Sequence, residues 1–312
     1  MMRITLWILV LSLSTTVFAG GEKIILVSHG GVSNPFWGTV FNGARQAAKD
    51  LDVNLQILFP NQDGDQPGTT QKLAEAISVK PAAIAVTLGT KSNCEYIKEA
   101  RKNGIPVIIY NAKAVPGGVE CPYQAYVGMD EYLAGKVSAE NALQHGGITG
   151  RVMVGLTEPG HIGLQARAKG ISDVMKAKNI QVDIMDLGSD PASIPNRLKG
   201  YLQKNQKTLT AVFMPNPQGM HPFLRMLQDD PALSKLYVGA FDLTPLIISG
   251  IESGLIKHTI DQQPWLQGYY SVVQLALAVR GKFSPMEMNT GVGLVDKSNA
   301  KAIAELVKKG IR

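Results

Sequence analysis

Apolar runs and amphipathic stretches alternate along most of this chain. Residues 23–28 (KIILVS) are a short apolar run, which reads as a strand buried on both faces. The loop HGGVSNPFW follows, then an amphipathic stretch from Thr39 to Asp50. The succession recurs with a strand over 53–59, a helix through Leu73–Val79 and a strand over Ala83–Thr87. A helix through Ile97–Lys102 ends at Gly104, and Pro106 opens a strand running to Tyr110. The pattern then restarts. Helices are expected at 132–143, 161–178, 194–205, 221–228, 247–254 and 265–280, with strands at 150–155, 182–186, 211–214, 237–241 and 257–261. A basic terminal helix is expected at 300–309. Strand, helix and Gly- or Pro-marked loop in regular alternation predict an α/β fold: parallel sheets covered by helices, in two successive units. Such sheets bind ligands beyond the carboxyl ends of their strands. Asn34, Asn111, Asn216, Asp242 and Gln262 fall there.

The first residues do not fit the alternation. Arg3 precedes an apolar stretch, Ile4–Val17, which ends in Val17-Phe18-Ala19. A basic start, a hydrophobic stretch and a small residue at the end predict an export signal over residues 1–19, with cleavage after Ala19. A membrane anchor is the alternative, but a span takes about 20 apolar residues. No later segment is long and apolar enough to span. Removing Arg3 lowers the formal net charge of the 312-residue chain from +6 to +5. The basic residues are dispersed, which argues against nucleic acid as a partner. The remaining length exceeds what one core usually supports, so two domains are expected. Cys94 and Cys121 are the only cysteines. Outside the cytoplasm they are expected to form a disulfide; two free buried thiols are the alternative. Two cysteines with no nearby histidine make an incomplete metal set, and no metal or cofactor is expected.

A series of short motifs also runs along the chain. It begins with Asn34-Pro35-Phe36-Trp37 and continues through Gly104-Ile-Pro-Val-Ile-Ile-Tyr-Asn111 and Tyr126-Val-Gly-Met-Asp130. Arg167-Ala-Lys-Gly170, Asn216, Gly239-Ala-Phe-Asp242 and Asp261-Gln-Gln-Pro264 complete it. Each motif alone is weak, but in their order across nearly the whole chain there is a resemblance to the periplasmic sugar-binding proteins of the ribose- and galactose-binding type. It implies the type I periplasmic binding fold, two Rossmann-like lobes joined by three crossover segments. The first lobe would take residues 22–128 and 263–289, the second 129–262 and 290–312. It also implies a monomeric receptor that closes on a small polar ligand, most simply a sugar, and docks on an ABC permease in the inner membrane. A sensing role in chemotaxis or with a sensor kinase uses the same lobes.

A sugar presents hydroxyls and apolar C–H faces, so its site needs carboxylates, amides, a guanidinium and flat aromatic walls. The expected ligand set is Asn34, Phe36, Trp37, Asn111, Arg167, Asn216, Phe241, Asp242 and Gln262. Each has a plainer reading: Asn34 as a cap or turn, Arg167 as an ion-pair residue. Trp265 is more simply core or lobe surface, and His29 a loop end. Ribose-type members carry Asp-Arg where this chain has Asn111-Ala112, and galactose-type members carry Asn-Asp where it has Asn216-Pro217. Those departures admit a modified sugar, a polyol, a nucleoside or another small metabolite. An enzyme is a remote alternative. His29, His161, His221 and Asp242 would have to meet across a cleft, and no dinucleotide fingerprint, P-loop or nucleophile elbow is present.

Overall fold

The computed structural model describes residues 21–190 and 192–312. The expected export signal lies outside them. Among the described residues no helix is long and apolar enough to cross a membrane. In chain order the strands are β1 (Lys23–Val27), β2 (Asn54–Leu58), β3 (Ala83–Leu88), β4 (Val107–Lys113), β5 (Tyr126–Gly128), β6 (Arg151–Leu156), β7 (Val182–Asp186), β8 (Leu209–Met214), β9 (Tyr237–Phe241), β10 (His258–Asp261), β11 (Met288–Asn289) and β12 (Gly293–Asp296). The helices are α1 (Pro35–Asp50), α2 (Gln66–Ser78), α3 (Cys94–Lys102), α4 (Glu131–His145), α5 (Ile162–Lys176), α6 (Ile194–Asn205), α7 (Pro217–Asp229), α8 (Pro245–Glu252), α9 (Pro264–Gly281) and α10 (Ala300–Lys308).

Two six-stranded sheets result, ordered β11-β5-β4-β3-β1-β2 and β12-β10-β9-β8-β6-β7. The two orders match position for position. Every pairing is parallel except β10 with β12. Each sheet is covered on both faces, so its central strands are apolar throughout; β3 (AIAVTL) and β9 (YVGAF) are buried from end to end. The chain passes between the lobes three times: from β5 to α4, from β10 to α9, and from β11 to β12.

Most of the expected strands and helices are present. The very short β5, β11 and β12 were not expected, since two to four residues carry too little periodicity. Helix α7 starts at Pro217, not His221. Asn216 caps it and Pro217 supplies the fixed φ of a first turn, while Pro222 sits inside the helix.

Helix N-termini in this fold follow the carboxyl ends of strands, so caps gather where the lobes face each other. Asn34, Asp130, His161 and Asn216 each accept a backbone N–H at the start of α1, α4, α5 and α7. In the second lobe α4 and α5 pack backbone to backbone. A Cβ on Gly135 would stand 2.1 Å from the Arg167 carbonyl oxygen, and one on Gly170 2.2 Å from that of Tyr132. Those glycines fix where Arg167 sits.

Cys94, the first residue of α3, and Cys121, in the loop before β5, form a disulfide with Cα atoms 4.7 Å apart. Both are buried beside the apolar cluster of one sheet face. A crosslink of this kind typically stabilises by about 2–4 kcal/mol.

Candidate functional site

Between the lobes lies a cavity of about 90 Å³. Of the nine expected ligand residues, eight line it: Asn34, Phe36, Trp37, Asn111, Arg167, Asn216, Asp242 and Gln262. They come from the ends of different strands and the first turns of different helices, as an open parallel sheet requires.

The first lobe contributes aromatics and amides. Asn34 Oδ1 accepts from the Phe36 N–H at 3.1 Å, which leaves its NH₂ for the cleft. Phe36 is half-buried, and its ring meets Trp37 edge-on at 5.1 Å. Trp37 is only 3% exposed; it also packs edge-on to His29 (4.8 Å) and Tyr110 (6.3 Å). Its indole therefore shapes the floor more than it forms an open wall. Asn111 has φ +59°, a left-handed conformation that asparagine tolerates better than most residues. Its Nδ2 donates to Gln262 Oε1 (3.2 Å) and Gln267 Oε1 (3.1 Å).

The second lobe contributes charge. Arg167 is 5% exposed. Its Nε donates to Glu131 Oε2 at 2.5 Å and its Nη1 to the Pro215 carbonyl at 2.6 Å. Among the described residues its Nη2 has no protein acceptor. Phe241 is the expected ligand residue that does not line the cavity. It ends β9 and is fully buried, while the next residue, Asp242, enters the cleft; the ring lies 4.9 Å below the Arg167 guanidinium carbon. Asp242 has φ +69° and accepts from Gln262 Nε2 at 2.6 Å. Burial pushes its carboxyl above the usual range, and Arg167 opposes that shift. Asn216 donates to Thr157 Oγ1 at 2.6 Å and accepts from the Gly219 N–H at 3.2 Å.

An amide chain thus runs from Asn111 through Gln262 to Asp242, spanning both lobes. Gln262 lies in the second crossing. Its carbonyl accepts from Gln267 Nε2 (3.0 Å) and from Thr290 Oγ1 (2.8 Å) in the third. The connecting segments are bonded into the same network as the cavity wall.

Nine cavity residues fall outside the expected set, among them Asp63, Glu131, Glu158 and His161. Glu131 follows the capping Asp130 and holds Arg167; burial raises its carboxyl while Arg167 draws it down. Asp63 Oδ1 accepts from the Gly31 N–H at 2.9 Å. Glu158 reaches across the cleft, its Oε2 3.3 Å from where a Cβ on Gly64 would stand, and burial with Asp63 nearby raises its carboxyl. The signal near Glu131 is the Tyr126-Val-Gly-Met-Asp130 motif, which ends one residue before it. Asp63 and Glu158 lie in loops with no motif to mark them.

His29 and His161 face each other across the cleft, ring centroids 5.9 Å apart. Burial lowers His29 to about 3 and His161 to about 4, with the His161 charge adding to the first shift and Arg167 to the second. Both imidazoles are neutral at neutral pH. His161 Nδ1 accepts the Leu164 N–H at 3.3 Å, which leaves its proton on Nε2. His221 is elsewhere, bonded to Thr244 Oγ1, so the four groups of the enzyme alternative do not assemble. Trp265 stacks on Tyr269 along α9 at 4.8 Å, away from the cavity.

Two like lobes around a small cavity lined by charged, amide and aromatic side chains define the class, a two-lobed receptor for a small ligand. A sequence model of the periplasmic binding protein domain matches residues 25–283, and the chain belongs to that family. It is a periplasmic, non-catalytic solute-binding protein. It is similar to the xylose/arabinose-binding protein of Sulfolobus acidocaldarius, 26% identical over 290 residues, 89% of this chain and 71% of the relative. It is similar also to the ribose import binding protein of Escherichia coli, 27% identical, covering 81% of this chain and 84% of the relative. Among solved structures, a periplasmic sugar-binding protein of an ABC sugar transporter from Legionella pneumophila superimposes with a TM-score of 0.82. That pair is 34% identical over 86% of this chain and 99% of the other. A carbohydrate transporter from Acidothermus cellulolyticus in complex with myo-inositol gives a TM-score of 0.80 at 26% identity, covering 94% and 100%.

Proposed function

We propose that this protein is the receptor of an ABC importer for a small polyhydroxylated, sugar-like ligand. The observation that carries the reading is the convergence of Asp242, Arg167, Asn34 and Asn216 on one cleft cavity. Each keeps a donor or acceptor beyond those its protein partners use. A hydroxyl placed there gains a charge-assisted partner. Phe36 and the edge of Trp37 supply the apolar face for ring C–H groups. In this reading residues 22–128 with 263–289 move as one body and 129–262 with 290–312 as the other. The Asn111–Gln262–Asp242 chain reports ligand occupancy to the crossings. The relatives' ligands, ribose, xylose, arabinose and myo-inositol, set the first candidates.

A thermal-shift screen of pentoses, hexoses, cyclitols and nucleosides on the mature protein tests it. At 100 times its Kd a ligand adds about 2.7 kcal/mol, a shift of roughly 4–5 °C at this size. A sugar or cyclitol should give that shift and be recovered chemically unchanged. A shift from nucleosides alone would move the reading to another metabolite class, and steady conversion by purified protein would overturn it.

A further inference from the structure

A second chamber of about 490 Å³ lies beside the cleft, on the side of the crossings. It shares three wall residues with the cleft cavity: Asn111, Glu131 and His161. Small-molecule sites usually measure about 300–1,000 Å³. The cleft cavity at about 90 Å³ falls below that range, and the adjoining chamber falls within it.

The lining of the chamber has two characters. Ile162 and Tyr132 are large side chains left 41% and 39% exposed in a concavity, beside Met129 and Ala166. Opposite them stand Asp130 and the Lys113–Glu287 ion pair, N to O 3.3 Å, both of its side chains solvent-accessible. A purely apolar substituent would strip water from those charges without replacing it. A sugar ring offers C–H faces to one side and hydroxyls to the other. His161 stands at the shared wall with its Nε2–H free of any acceptor among the described residues, able to donate to an oxygen that joins two rings.

We propose that this chamber is a second sugar subsite and that the ligand is a disaccharide, one ring in the cleft and the other against Ile162 and Tyr132. The inference rests on the sugar reading above and extends it.

Calorimetry with paired probes tests it: xylose against xylobiose, arabinose against arabinobiose, glucose against cellobiose, galactose against lactose. One disaccharide should bind at least ten-fold more tightly than its monosaccharide. Ala166→Leu, which fills the chamber wall, should remove that advantage and leave monosaccharide affinity within about two-fold. Ile162→Asp, at an exposed position, should do the same and guards against misfolding in the first variant; thermal melts check both. If monosaccharides bind and the second ring adds nothing, or if neither variant narrows the difference, the subsite is overturned and the sugar reading stands. If no sugar of either length binds, both fall.

Discussion

The two lobes share one plan and bring different chemistry to it. Their sheets have matching strand orders, and in each a residue with a left-handed φ turns a polar side chain into the cleft from the strand next to the central one: Asn111 at +59° after the apolar half of β4, Asp242 at +69° directly after β9. Holding such a residue there costs about 1–2 kcal/mol, and both lobes meet that cost at the same place. Yet the first lobe presents amides and aromatics, with Asp63 its single charged cavity residue, whereas the second presents Arg167, Asp242, Glu131 and Glu158. Arg167, Glu131 and Asp242 are already hydrogen-bonded before any ligand arrives, while Glu158 faces Asp63 across the cleft. The second lobe thus offers a prearranged polar surface, and the first a shaped, weakly polar one.

The largest effect that sharpens this contrast is at Arg167. Arg167→Met keeps much of the apolar bulk above Phe241 but removes the free Nη2 donor and the partner of Glu131. Ligand affinity should fall by roughly 2–4 kcal/mol, about 30- to 1,000-fold. Glu131, buried and unpaired, would then be held further above the usual carboxylate range. Calorimetry on the ligand found by screening is the measurement. An affinity within three-fold of wild type would show that the charged lobe does not dominate binding.

Much of this charged lobe was legible in the sequence, because Arg167, Asn216 and Asp242 stand in motifs at strand ends and helix starts. Phe241 was misplaced as a cleft wall, since side chains alternate along a strand and only one of two neighbours can enter the cleft. Glu131, Asp63, Glu158 and His161 were not assigned to the ligand. Their role depends on how close the lobes come, and nothing local records that. The strands of two to four residues that seal the sheet edges were hidden for a related reason: tertiary pairing, not periodicity, creates them.

A smaller effect, on pH, crosses the interface between the lobes. In the closed cleft His29 sits at about 3 and His161 at about 4, while a hydrated imidazole lies near 6.5. The closed form therefore excludes protons that the open form accepts. Closure is at full strength above about pH 6.5 and weakens as the pH falls below it, by up to roughly ten-fold per unit for each histidine. Arg167 acts in the same direction on His161. Glu158, raised by burial and by Asp63, takes up a proton on closing and opposes the trend. Each histidine should lower affinity about ten-fold between pH 7.5 and 5.5, so the pair lowers it by up to about a hundred-fold, less what Glu158 returns. His161→Asn keeps a side chain able to cap α5 but cannot titrate, so its profile should be flatter. Equal profiles for both proteins would place the histidines outside the closing interface.

The smallest effect separates capping from binding in both lobes at once. Asn34 and Asn216 cap α1 and α7 through Oδ1, and their amide nitrogens face other tasks. Aspartate caps as well as asparagine and adds a favourable charge at the helix N-terminus. Asn34→Asp should therefore leave thermal stability unchanged or slightly higher while removing one donor from the cleft. Asn216→Asp should do the same in the second lobe, where the Thr157 hydroxyl can rotate to donate to the new carboxylate. Each lost hydrogen bond should cost about 0.5–1.5 kcal/mol, roughly two- to twelve-fold in affinity. Calorimetry and thermal melts on the two variants, side by side, separate the roles. An Asn34→Asp protein with wild-type affinity would mean that Asn34 only caps. The first lobe would then act on the ligand through shape and the remaining amide, Asn111, and the division of chemistry between the lobes would be sharper than drawn here.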